Sequence, residues 1–162
     1  MNDDKNLSTS AQRVQSALSS LGLPCEVTEL PDSARTAKEA AQALGCEVAH
    51  IAKSLIFQGS STRQAILVVA VGTNRVDEKL LAALAGEAIE RATPEFVREK
   101  TGFAIGGIPP LGHSEKLKTF LDQDLQKYPV VWAAAGTPHA VFKTNASELQ
   151  RMTEAEFVKI SA

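Results

Sequence analysis

The sequence predicts an α+β domain built on a mixed, mostly antiparallel sheet with helices around it. Three observations predict it: β-rich apolar runs come in pairs joined by short turns, segments of helical period stand between those pairs, and no internal repeat or linker interrupts the 162 residues. Strands that arrive as hairpins fit a doubly wound parallel sheet less well. About 150 residues is what one domain with a proper core takes, so residues 1–162 are read as a single domain.

The elements follow in order. The polar start, residues 1–6, is expected to be disordered. Ala11, Val14, Leu18 and Leu21 recur at helical spacing behind a Ser/Thr cluster that can cap, and Gly22 with Pro24 stops that helix. "CEVTEL" alternates as a half-buried strand does, and Pro31 ends it. "TAKEAAQALG" places Thr36 and Glu39 in capping-box spacing and Gly45 at the C-cap of a second helix. "KSLIFQ" and "QAILVVAVG" form a hairpin around "GSSTR", its second strand buried on both faces. "VDEKLLAALAG" returns to helical period, "AIERA" fits a short strand, and "TPEFVREKTG" has Thr93 at the N-cap, Pro94 at N1 and Gly102 past the end. "VVWAAAG" and "HAVFKT" make a second hairpin around "GTP". "NASELQRMT" and "TEAEFVKI" read as closing helical turns opened by Asn145 and Thr153.

Composition narrows the function. Apolar residues make up 44% and charged residues 22%, values of an ordinary globular chain. No apolar run approaches the roughly 18 residues a spanning helix needs, and the acidic, polar start is unlike a secretory signal, so a cytoplasmic location without membrane attachment is expected. In a reducing compartment Cys25 and Cys46 are expected as free thiols. A net charge of −2 speaks against holding long nucleic acid by counterion release, while a short nucleic-acid end needs only one or two placed cations and a pocket. GxxxxGK[ST], GxSxG and a GxGxxG after a strand are all absent, which removes the usual support for ATP, serine-hydrolase and dinucleotide readings.

"TGFAIGGIPPLGH", Thr101 to His113, holds four of the ten glycines and two adjacent prolines with no Asp, Glu, Lys or Arg. Gly106 and Gly107 suit a backbone that aims its amides at an anion or a developing oxyanion, and equally a tight crossing where glycine is needed only for space. Lys53 opens an apolar strand, where a cation either snorkels outward or serves a buried anion, and Ser54 beside it adds a hydroxyl. His139, just past a Gly-Thr-Pro turn, fits a group that positions a hydroxyl or water, or a histidine bonded to a carbonyl. His113 reads as a polar loop residue. Cys46 and His50, four apart, would be neighbours on one helix, but nothing completes a metal set with them, and neither a metal nor a cofactor is expected.

Taken in order, "IAKSLIF", "LVVAVGTNRVDEKLLAALAG", "ATPEFVREKTGFAIGGIPPLGH" and "VVWAAAGTPHAVFKT" resemble the successive blocks of the YbaK / prolyl-tRNA synthetase-associated editing-domain family, from roughly Thr36 to Thr144. The resemblance implies a partly barrel-like sheet and a free-standing trans-editing enzyme that hydrolyses the ester between a wrong amino acid and the 3′ end of a tRNA. Apolar synthetase pockets gain only about 1–3 kcal/mol per methylene, which is why a second sieve exists. Carried over, Lys53 matches the lysine that holds the terminal phosphate or helps place the ester, and Ser54 a neighbouring position often Thr or Asn. Gly106 and Gly107, with Pro109, match the pocket loop; Gly136, Thr137 and His139 match the turn facing the aminoacyl group. Lys53, Gly107 and His139 are thus the catalytic candidates. Thr36, Phe57 and Ile105 are expected to set pocket volume. The implied water attack is assisted by the ribose 2′-hydroxyl. The implied amino acid is small, such as Ala, Ser, Thr or Cys, with cysteine behind the others because "GTPHAVF" departs from the cysteinyl branch. The expected partners are the tRNA acceptor end and a synthetase or elongation factor. Two alternatives stay open: a non-catalytic module of the same fold, and a thiol or ester hydrolase using Cys46 with His50.

Overall fold

The computed structural model describes residues 7–31, 34 and 36–161; the expectation of disorder at 1–6 lies outside them. Helices begin and end where local chemistry puts them. The Ser8 hydroxyl accepts from Ala11 N at the head of α1 (Thr9–Ser20). Thr36 and Glu39 close a reciprocal capping box on α2 (Ala37–Leu44), and Gly45 ends that helix at φ 72°, a conformation that L side chains resist. Asp77 caps α3 (Glu78–Ala85), Thr93 caps α4 (Pro94–Thr101) and Asn145 caps α5 (Ala146–Thr153).

Eight strands make one sheet: β1 (Val27–Glu29), β2 (Ile51–Gly59), β3 (Ala65–Val71), β4 (Ile89–Arg91), β5 (Lys118–Asp122), β6 (Val131–Ala134), β7 (Ala140–Thr144) and β8 (Glu156–Val158). Their order is β1-β7-β6-β2-β3-β5-β8, with β4 attached to β2. The β1·β7, β2·β3, β2·β4 and β6·β7 pairs are antiparallel, and β2·β6, β3·β5 and β5·β8 are parallel. The sheet is therefore mixed with an antiparallel majority, as the paired apolar runs predict. It runs open from β1 to β8 and does not close into a barrel.

The C-terminal segment differs from its prediction. Thr153 does not open a helical turn; it is the last residue of α5, Glu154 stops that helix at φ 56°, and Glu156–Val158 becomes an edge strand on β5. Only a tertiary partner, the free edge of β5, makes a strand of three such residues. β5 itself went unpredicted because "KTFLD" shows neither clean alternation nor an apolar run.

β3 is the centre of the molecule. All seven of its residues are buried, and they alternate between two apolar layers. Leu67, Val69 and Val71 pack with Leu121, Leu125 and Leu149, while Ile66, Val68 and Ala70 pack with Leu81, Ala85 and Ile160. At about 1.5–3 kcal/mol per fully buried aliphatic side chain, this strand anchors everything that leans on it. α1 covers another patch, setting Ala11, Val14 and Leu18 against Ala133, Ala140 and Phe142, and against Phe103 and Leu111 of the glycine loop. No helix among the described residues is long and apolar enough to cross a membrane.

Candidate active site

β2 carries the site because its two edges are treated differently. One edge pairs with β3 from Ala52 to Gln58. The other pairs with β6 only at Ile51 and Ala52, and with β4 only from Phe57 to Gly59. Between those contacts the sheet splits, and Lys53 to Ile56 are half-buried while the residues flanking them are buried. A cavity of about 540 Å³ opens at this split, lined by β2 from Ile51 to Phe57, by Arg91 at the end of β4 and Ala92 after it, by Trp132 and Ala134 of β6, and by Ile105 and Gly106 of the glycine loop.

Lys53 lies in that lining, its ammonium donating to the Gly72 carbonyl at 3.3 Å. Burial pushes its pKa down, the negative charge of Asp122 pulls it up, and the nearby Arg75 pushes it down further. The turn that holds this carbonyl is itself held. Asp122, fully buried at the end of β5, accepts from Val71 N at 3.1 Å, Asn74 Nδ2 at 2.8 Å and Asp124 N at 2.9 Å. Asn74 Nδ2 also donates to Asp124 at 2.9 Å, and Lys127 pairs with Asp124 at 3.1 Å. Gly72 has to be glycine, since a Cβ there would stand 2.3 Å from the Val48 carbonyl oxygen. Arg75 and Arg91 bring two more cations to the lining, and Glu78 one carboxylate.

Of the residues singled out in the sequence, Lys53, Ser54, Thr36, Phe57, Ile105 and Gly106 line the cavity together. Gly107, Pro109, Gly136, Thr137 and His139 stand outside the lining. Gly107 marks a close crossing: a Cβ on it would meet the Thr137 backbone at 2.6 Å, and its carbonyl accepts from Gly136 N at 2.8 Å. His139 has Nε2 3.9 Å from a Glu29 carboxylate oxygen, and its carbonyl accepts from Leu30 N at 2.6 Å. Pro138 is the residue of that turn that reaches the cavity. Pro109 is buried and its carbonyl accepts from His113 Nε2 at 2.7 Å; burial pushes the His113 pKa down. The loop is bare because it is packed: Phe103, Ile108, Pro109, Pro110 and Leu111 are all buried. Ala104, Ile105 and Gly106 stand out of it together, Ile105 55% exposed.

Cys46 and His50 do not share a helix, because α2 ends at Leu44, Gly45 turns the chain, and His50 closes a separate 3-10 turn, Val48–His50. Burial raises the Cys46 pKa, as does the Glu47 charge. Both thiols are free. Cys25 donates to Glu148 at 3.4 Å and is pushed up to about 11, first by burial and then by that carboxylate. Among the described residues no group of three or more His, Cys, Asp or Glu could hold a metal ion.

Sequence reasoning missed Arg75, Arg91, Asn74 and Asp122. The signal for the first and third was the polar "TNR" directly after an all-apolar strand; Asp122 was hidden in the unpredicted β5.

A family model, aminoacyl-tRNA editing domain, matches residues 31–152. The chain belongs to the aminoacyl-tRNA editing-domain family. A solved structure provisionally described as a trans-editing enzyme for prolyl-tRNA synthetase superimposes with a TM-score of 0.92 at 50% identity, over 96% of this chain and 99% of that one. The uncharacterized YwhH of Bacillus subtilis (strain 168) is 33% identical over 83% of both chains. EbsC of Enterococcus faecalis (strain ATCC 700802 / V583), provisionally named a Cys-tRNA(Pro)/Cys-tRNA(Cys) deacylase, is 26% identical over 78% of this chain and 77% of its own. The editing domain thus spans most of the chain, and the split edge of β2 with its cavity lies inside it.

Proposed function

We propose that this chain, an aminoacyl-tRNA deacylase by family, removes a small amino acid from the 3′ end of a mischarged tRNA in the cavity at the split edge of β2. The observation that carries the reading is Lys53: a half-buried ammonium with a depressed pKa, fixed by the Gly72 carbonyl at the wall of a cavity large enough for an aminoacyl group. With Arg75 and Arg91 it gives the cavity three cations against one carboxylate, a balance that suits the phosphate of an RNA end.

Ester hydrolysis needs a placed water and stabilisation of an oxyanion, and a single good donor supplies about 2.7–4 kcal/mol of that. Lys53 is the donor of this reading. Glu78, the cavity's carboxylate, is exposed on the first turn of α3, so the ribose 2′-hydroxyl of the tRNA serves as the group that directs the water. The amino acid is a small one such as Ala, Ser, Thr or Cys; the name of EbsC keeps Cys in that set. A net charge of −2 gives the chain little general attraction for tRNA. A synthetase partner that presents the acceptor end makes up for it, in line with the description of the solved structure reported above.

The test is a panel of mischarged tRNAs incubated with the purified protein and with Lys53→Ala. The expected result is accelerated release of at least one small amino acid, reduced about 100- to 1,000-fold by the substitution. Release no faster than the spontaneous rate from every tRNA, with and without a synthetase present, defeats the reading. A terminal 2′-deoxyadenosine that leaves the rate unchanged defeats the substrate-assisted step alone.

A further inference from the structure

The two edges of β2 fix where its main-chain groups point. Along the hairpin, Gly72 N donates to Ile51 O at 2.7 Å and Gly59 N donates to Gln64 O at 3.0 Å. In an antiparallel ladder the bonded pairs alternate with unbonded ones, so the odd-numbered residues of β2 turn their N–H and C=O groups toward β3. The even-numbered residues turn theirs to the other edge, as the bond from Ser60 N to Ala88 O at 2.8 Å on the β4 side confirms. Ser54 is even-numbered and stands in the gap, two residues past the last register pair with β6 and three before the first with β4.

Ser54 therefore presents one N–H and one C=O, side by side, to the cavity it lines. Its hydroxyl oxygen is buried and has no hydrogen-bond partner. Main-chain groups withdrawn from water are paired in nearly all folded proteins, and no register partner on this edge reaches Ser54, so its main-chain pair at a cavity wall points to a ligand that completes it. The spacing specifies the ligand. The N–H and C=O of one strand residue match the C=O and N–H of one opposing residue, two groups separated by a single Cα. An aminoacyl ester is one such residue: an α-amine and an acyl carbonyl across one Cα.

We propose that Ser54 pairs with the aminoacyl group of the substrate as one strand residue pairs with another, its C=O accepting from the α-amine and its N–H donating to the ester carbonyl. The site then reads the amine that every amino acid shares, while the apolar wall of Phe57, Ile105 and Trp132 deals with the side chain. Side chains alternate along a strand, so the Lys53 ammonium and the Ser54 hydroxyl lie on opposite faces of β2, with the main-chain pair between them. This inference rests on the deacylase reading and adds to it a requirement for the α-amine.

The experiment compares two esters of the same tRNA: the aminoacyl ester cleaved fastest in the panel, and the ester of the same skeleton with a methyl group in place of the amine. For alanyl-tRNA the second is 2-methylpropanoyl-tRNA. Each enzymatic rate is divided by the spontaneous hydrolysis rate of its own ester, which removes the electronic effect of the amine. The expected result is a normalised kcat/KM about 100-fold lower for the ester without the amine. Equal normalised values, with both esters cleaved, overturn the pairing and leave the deacylase intact. Cleavage of neither ester overturns the deacylase reading, and the pairing falls with it.

Discussion

Two turns, one at each end of β3, are each held by a carboxylate clamp, and their surroundings differ. At the hairpin tip Glu87 accepts from Ser61 N at 2.8 Å, Thr62 N at 3.0 Å, Thr62 Oγ1 at 2.7 Å and Gln64 Nε2 at 3.3 Å, in the open. At the other end Asp122 binds Val71 N and Asn74 Nδ2 with no exposure to solvent. Gly59 belongs to the first clamp as Gly72 does to the second, for a Cβ there would stand 2.5 Å from the Glu87 carboxylate. Both clamps tidy a loop. Only the buried one holds a carbonyl that holds a lysine beside a cavity, so equal chemistry at the two ends is expected to have unequal consequences for function.

Asp122→Ala probes the buried clamp hardest. It leaves buried donors without acceptors, and we expect a loss of about 3 kcal/mol or more in urea unfolding together with a loss of deacylation. Lys53→Met separates the two properties next. Its folded pKa lies below the ordinary lysine value, so the charged form is the one the fold disfavours: that cost is present below the folded pKa and is relieved as pH rises through it. The substitution is therefore expected to cut activity about 100-fold or more while leaving the unfolding midpoint at pH 7 unchanged or raised. A large fall in stability with Lys53→Met would assign the lysine to the fold.

Glu87→Gln sharpens the contrast from the exposed side. Bonds from Thr62 above all, then from Ser61 and Gln64, lower its pKa to about 2. Its stabilising share is complete above the ordinary carboxylate value near 4.5 and is lost as pH falls from there toward about 2. The variant is expected to unfold slightly earlier at pH 7, to converge on the parent at low pH, and to deacylate at the parent rate. The smallest expected effect is that of alkylation. With Cys25 pushed up to about 11 and Cys46 also raised, iodoacetamide at pH 8 should leave activity intact, whereas inactivation would revive the thiol reading.

How far the sequence could be read follows from where its constraints are local. Caps at Thr36, Thr93 and Asn145, and the C-cap at Gly45, are decided within a turn of chain and were legible. So was β3, whose unbroken apolar run allows nothing but burial. β5 and β8 were not, because their strand state depends on partners far along the chain. At the site, Lys53, Ser54 and Gly106 could be named from their motifs. The gap in β2 could not, since it is made by β6 and β4 stopping short of each other. Gly107 shows both halves at once: the motif marks it out, and only the crossing with Thr137 explains why it is glycine.

The proposed seat for the 3′ end of a charged tRNA is the gap beside Ser54. It is tested most directly by amide NMR of the labelled protein titrated with aminoacyl-adenosine in which an amide replaces the ester. Shifts are expected at Ser54, Ile56, Gly72 and Gly106, with Ser61 and Thr62 under the Glu87 clamp unmoved. Shifts elsewhere on the molecule while Ser54 and Gly106 stay in place would contradict it.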